Sequence, residues 1–227
     1  MRRSLIVLAG ILVSSVARAG WTGDPTQSVT KGAVVIGYQA ASRNLELTGG
    51  SPTEKFKTHG LVLEQRTAVN PVVQIAIRAL PFTGRMNLEG TSFNPHVAGG
   101  GVGLYLAPPE PLGPIRVGAA AVWDGAGGLR KREAADKQYD RVFWSDTTLT
   151  AGVSWSPIEW AGVYAGAAYD SFRMRLALPG SKTNWKEDSP WGGYGGVTLT
   201  PNPAWFVTAE LRAGGERSLG AFLGYKY

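Results

Sequence analysis

The chain has 227 residues, no cysteine and a formal net charge of +6. Its length suits one sizeable domain. Without cysteine there is no disulfide framework, no thiolate metal site and no lipid-modified N-terminal cysteine. The charge is too mild for nucleic-acid binding, which needs a concentrated basic patch.

The opening residues Met1-Arg2-Arg3 lead into an apolar run from Leu5 to Val13, and Ala17-Arg18-Ala19 follows. A basic start, a short apolar stretch and small residues at alternate positions are the parts of a secretory signal. The run is far shorter than the roughly 20 residues a spanning helix needs. The expectation is a cleavable signal over 1–19, whose loss removes Arg2, Arg3 and Arg18 and halves the net charge. Residues 20–30 are read as a short periplasmic N-terminal segment, and 31–227 as the main domain.

The remainder contains most of the 31 glycines and 14 prolines, a composition that disfavours helices. Period-two alternation recurs instead. Strands are predicted over 31–42, 58–68, 72–81, 97–107, 114–124, 142–156, 160–173, 190–200, 204–213 and 218–227. Successive side chains of a strand point to opposite faces. Val73, Ile75, Ile77 and Ala79 therefore oppose Gln74, Ala76 and Arg78, and Ile115, Val117, Ala119, Ala121 and Trp123 oppose Arg116, Gly118, Ala120 and Asp124. Further on, Leu149, Ala151, Val153 and Trp155 oppose Thr148, Thr150, Gly152 and Ser154, while Val207, Ala209 and Leu211 oppose Thr208, Glu210 and Arg212. At the C-terminus Leu219, Ala221, Leu223, Tyr225 and Tyr227 share one face.

Connections near Asn70-Pro71, Pro108–Pro114, Ser156–Glu159 and Pro201–Ala204 read as short, and those near 43–57, 82–96, 125–141 and 174–189 as longer loops. An even strand number with short turns at one end and long loops at the other is the pattern of a transmembrane barrel, with both termini periplasmic. Aromatic side chains collect at membrane interfaces. Trp155, Trp160 and Trp205 adjoin short turns, and Trp123, Trp144 and Trp191 lie towards the opposite strand ends. The expected fold is thus all-β: a closed antiparallel up-and-down transmembrane β-barrel of ten strands, with eight as the alternative.

On these features the chain resembles the small outer-membrane β-barrel proteins of Gram-negative bacteria. The most specific element is the final strand, where Leu219, Ala221, Leu223, Tyr225 and Tyr227 resemble the family's C-terminal assembly signal. The resemblance implies periplasmic chaperones and the barrel-insertion machinery as partners during assembly, and residence in the outer membrane.

Closure of the barrel sends the other face inward, bringing Glu64, Arg66, Arg78, Arg116, Asp146, Asp170, Glu210, Arg212 and Lys226 into the lumen, where opposite charges can neutralise one another. Barrels of about eight strands are filled by side chains, and open channels need many more. The preferred function is a non-enzymatic envelope or surface-interaction protein with a side-chain-filled polar interior. A narrow ion or solute channel, an outer-membrane hydrolase and a secreted soluble ligand-binding barrel are the alternatives.

His59 and His96 read as surface-loop histidines: neither has the neighbours of a nucleophile–base pair, and two ligands do not define a metal site. No cofactor motif is present, since Gly99-Gly-Gly101-Val-Gly103 lacks the helix and the Lys-Ser/Thr of a phosphate loop and reads as small residues beside Tyr105. Arg43, Lys55, Lys57, Arg173, Arg175, Lys182 and Lys186 are expected in outer loops, where they can meet phosphates of outer-membrane lipids, lipopolysaccharide included.

Overall fold

The structure, a computed structural model, describes residues 23–88, 91–108, 113–131, 139–178 and 181–227. The expected signal over 1–19 lies outside them. Among the described residues twelve strands form in chain order: β1 (Gly32–Leu47), β2 (Thr53–Ala68), β3 (Val73–Leu88), β4 (Thr91–Phe93), β5 (His96–Leu106), β6 (Ile115–Lys131), β7 (Tyr139–Ile158), β8 (Ala161–Leu178), β9 (Ser181–Glu187), β10 (Trp191–Asn202), β11 (Trp205–Gly214) and β12 (Glu216–Lys226).

Ten of them make the wall. Each pairs antiparallel with its sequence neighbour, β3 with β5 and β8 with β10 across the two extra strands, and β12 returns to β1 with Ala33 opposite Lys226. The ring is therefore a closed up-and-down barrel. Closure leaves no edge, which is the condition for a sheet to lie in lipid. The near end carries the start of β1, the end of β12 and the tight turns. Two of these turns are Asn-Pro: Asn70 Oδ1 accepts from the N–H groups of Val72 and Val73 at 2.9 and 2.8 Å, and Asn202 Oδ1 from those of Ala204 and Trp205 at 3.0 Å each.

The far end differs from expectation. Much of the predicted loop sequence over 43–57, 82–96, 125–141 and 174–189 continues as strand, so that only 48–52 separate β1 from β2. Strand β9 lies within the stretch 174–189 that the sequence presents as loop. It pairs with Arg173–Leu178 of β8 on one side and Leu45–Leu47 of β1 on the other. Above the tight β11–β12 hairpin, where Gly214 takes a φ of 133° that favours glycine, this one strand stands in place of β10, β11 and β12. The wall contracts there.

The two faces are chemically opposite. Ile77, Leu211, Val102, Val153, Val34 and Leu223 point outward and are exposed, while Glu64, Arg66, Gln74, Arg78 and Glu210 point inward and are buried. A soluble barrel would have the reverse arrangement. At Pro81, which lacks an N–H, the β2–β3 ladder lapses between Gly60–Phe82 and Leu63–Ala79.

Candidate functional site

The lumen holds the buried polar chemistry of the described residues and is occupied by side chains along most of its length. At the near end, residues 23–27 and Val29 are buried. The segment read as a short stretch ahead of the barrel is part of its filling. Gly118 on β6 makes room for it, since a Cβ there would collide with Pro25 and Thr26. Gln74 Nε2 donates to the Gln27 carbonyl at 3.1 Å, and the hydroxyls of Thr26 and Ser154 lie 2.6 Å apart. Asp24 accepts from the Thr26 N–H and hydroxyl at 2.9 and 2.6 Å. Burial pushes the Asp24 carboxyl above the usual aspartate range, against the pull of those hydrogen bonds and of Arg66 and Arg116. A cavity of about 460 Å³ remains in the mouth, lined by Asp24, Arg116, Ser154, Thr198 and Lys226 among others. Arg116 is exposed in it, and the Lys226 ammonium sits 5.5 Å from the Phe206 ring.

Deeper in, three ionic clusters follow. The first is built on a row that crosses the wall: Glu64 opposite Arg78, Arg78 opposite Gly101, Gly101 opposite Asp124, Asp124 opposite Asp146. Because Gly101 has no side chain, Arg78 reaches past it to pair with Asp124. Arg78 Nε also lies 3.3 Å from Glu64 Oε2. Glu64 accepts from Arg66 Nε at 2.5 Å and from the Tyr105 hydroxyl at 3.0 Å, and the Arg66 guanidinium lies 3.9 Å from the Tyr105 ring centre. Gly103 leaves the space into which the Tyr105 ring leans.

In the second cluster Arg212 donates to Glu210 at 3.1 Å and Asp170 at 3.3 Å; Thr148 donates to Asp170 at 2.7 Å and Tyr164 to Glu210 at 3.0 Å. In the third, Arg43 pairs with Asp146 at 2.8 Å, Glu187 at 3.4 Å and Glu216. Its guanidinium lies 4.2 Å from the Phe172 ring centre. Arg43 was expected in an outer loop. Its strand runs on to Leu47 with Arg43 on the inner face, and it is 4% exposed.

Beyond Arg43 the filling becomes apolar. Phe56, Trp144 and Phe172 meet with ring centres 5.5–6.1 Å apart, and Leu45, Met86, Met174, Leu176 and Trp185 complete the layer. Trp144, read as a membrane-interface aromatic, is therefore an interior residue, 8% exposed. It shares the parity of Thr148 and Thr150, which places it on the inner face of β7. The interior is polar through its middle and apolar at its far end, not polar throughout. Trp123, Trp155, Trp160, Trp191 and Trp205 are exposed, as are Ala221, Leu223 and Tyr225 of β12 and Tyr227 just after it, with Leu219 partly so.

Arg43, Glu187, Glu216 and the aromatic layer were not expected in the lumen, and Asp124, though on the inward face of its strand, was not counted among the lumen charges. For Asp124 and Glu216 the signal was there: each continues the inward parity of its strand. Nothing comparable marked Glu187, because β9 was not recognised. His59 and His96 are exposed on the outer face, opposite Thr83 from either side, with Thr83 Oγ1 3.5 Å from His96 Nδ1. Strand β3 lies between them, and neither is brought against a carboxylate in the described contacts.

No family model matches the chain, and no curated protein matches it. Among solved structures, the translocator domain of the autotransporter NalP from Neisseria meningitidis superposes with a TM-score of 0.51 at 12% identity, over 99% of this chain and 94% of that one. The β domain of the Bordetella autotransporter BrkA gives 0.48 at 12% identity, over 86% and 100%. The outer-membrane protein OprG from Pseudomonas aeruginosa gives 0.43 at 11% identity, over 90% and 100%. The likeness to the NalP domain is one of fold: this chain is built as a closed antiparallel up-and-down β-barrel of the kind that outer-membrane protein domain has.

Proposed function

We propose that the protein is an integral, non-enzymatic barrel of a bacterial outer membrane, an envelope or surface-interaction protein whose lumen is closed to solutes. The observation that carries this reading is the inversion of the wall, with aliphatic side chains such as Ile77 and Leu211 outside and paired charges inside. Lipid accepts such an exterior. A lysine on that face near mid-membrane costs roughly 2–4 kcal/mol. The near end, with both ends of the wall, faces the periplasm in this reading, and β12 with its outward Leu223, Tyr225 and Tyr227 is the surface offered to chaperones and the insertion machinery.

Cell fractionation and planar-bilayer recording test the proposal together. The expected result is recovery in the outer membrane and negligible steady conductance after insertion. Stable conductance would establish a channel, and recovery as a soluble protein would remove the membrane assignment.

A further inference from the structure

The outer wall at the far end brings together some of the cations expected in the outer loops. On β8, Arg173 and Arg175 point outward and are exposed; on β9, Asn184 and Lys186 do the same; on β7, Ser145 and Phe143 complete the patch. Register sets them side by side. Ser145 is opposite Arg173 and Arg173 opposite Lys186, while Phe143 is opposite Arg175 and Arg175 opposite Asn184. Neighbouring strands are roughly 4.8 Å apart, so the three cations converge on one another across two strands. A depression of about 670 Å³ lies among them. Among the described residues neither arginine has an ion-pair partner. Lys186 contacts Glu46 at 3.2 Å through a side chain that is still 54% exposed.

Three like charges at adjacent positions repel, and apart from the Lys186–Glu46 pair no described contact offsets that repulsion. An anion with several oxygens relieves that repulsion, and arginine forks are matched to phosphate. The surroundings say where the phosphate comes from. Phe143, 52% exposed, borders the cations, and towards the near end the same wall presents Leu149, the Tyr169–Trp191 edge-on pair and Val163. A ligand seated here has its anionic group at the cations and an apolar body along the wall.

We propose that this face of β7, β8 and β9 docks a lipid of the surrounding leaflet through its phosphorylated headgroup, with the acyl chains laid against the apolar band below. The site rests on the membrane-barrel reading and deepens it. Lys55 and Lys57 on β2 and Arg85 on β3 are also outward and exposed, and they provide a comparison of equal charge elsewhere on the rim.

The test uses full-length mature protein in phosphatidylcholine nanodiscs doped with bisphosphorylated lipid A, with lipid retained after exchange counted by native mass spectrometry. Wild type should retain lipid A, and dephosphorylated lipid A should be retained at least roughly tenfold less. Arg173→Gln/Arg175→Gln/Lys186→Gln should lower retention by a similar factor. Lys55→Gln/Lys57→Gln/Arg85→Gln should stay within about twofold of wild type, and inorganic phosphate equimolar with lipid A should not compete. Equal losses in the two triple variants would show a diffuse charge effect and overturn the site, as would equal retention of the dephosphorylated lipid. Competition by free phosphate would make it an ion site. Failure of the wild type to enter nanodiscs at all would count against the membrane-barrel reading instead.

Discussion

Arg43 holds three acidic side chains together: Asp146 from β7, Glu187 from β9 and Glu216 from β12 meet on it, with the Phe172 ring beneath. A buried ion pair is not by itself evidence of large net stability, because both charges were taken out of water. Removing one partner is a different matter, since the stranded charge stays buried. Arg43→Met should therefore destabilise the barrel by about 3–5 kcal/mol, read as a lowered urea midpoint by tryptophan fluorescence in detergent. A loss below about 1 kcal/mol would mean that the three carboxylates are compensated in some other way. Inward residues such as Glu64, Arg66, Glu210 and Arg212 were legible because each acid sits two residues from its arginine on one strand face. Arg43 was not, because its importance depends on β9, which the sequence presents as a polar, lysine-bearing stretch.

Among the elements, the two closures of the lumen differ in kind. The near-end segment, 23–29, is held by a few hydrogen bonds and contains one buried carboxyl, Asp24. Its pKa is raised, so seating the segment favours the protonated acid. The sign follows: seating is most stable below the ordinary aspartate value, about 4, and weakens as pH rises through the raised value. A spin label on Ser28→Cys should become more mobile over that interval, and Asp24→Asn should flatten the response. Increased mobility on acidification would contradict it. Strand positions in the wall could be read from alternation because one face must meet lipid and the other the lumen. Strand ends could not. Beyond the apolar band the pattern inverts: outward positions turn to Lys55, Lys57 and Arg173 while inward Leu45, Phe56, Met174 and Leu176 are apolar, so a reading that looks for an apolar outer face loses β1, β2 and β8 at that level. Trp144 shows the same limit from another side: its type suggested an interface, while its parity placed it inside.

For the whole molecule, both ends must be opened before anything can pass. Deleting 23–29 alone should leave conductance negligible, because the Phe56, Trp144 and Phe172 layer still closes the far end. Adding Phe56→Ala, Trp144→Ala and Phe172→Ala should create a path. It should prefer cations, since among the described residues Asp146, Asp170, Glu187, Glu210 and Glu216 outnumber Arg43 and Arg212 along that stretch. The reversal potential in a potassium chloride gradient measures this, and an anion preference would refute the charge argument. The seam between β1 and β12 bears on how the molecule is made. It joins Ala33 to Lys226, almost the full span of the domain, so its hydrogen bonds are the most non-local in the wall and the slowest kind to form. Until those last residues emerge, the growing sheet has two bare edges, each a template for mispairing and each costly in hydrocarbon. A chain of this design cannot ripen strand by strand in the bilayer. It has to be held out of the lipid, or guarded within it, until its end has met its beginning.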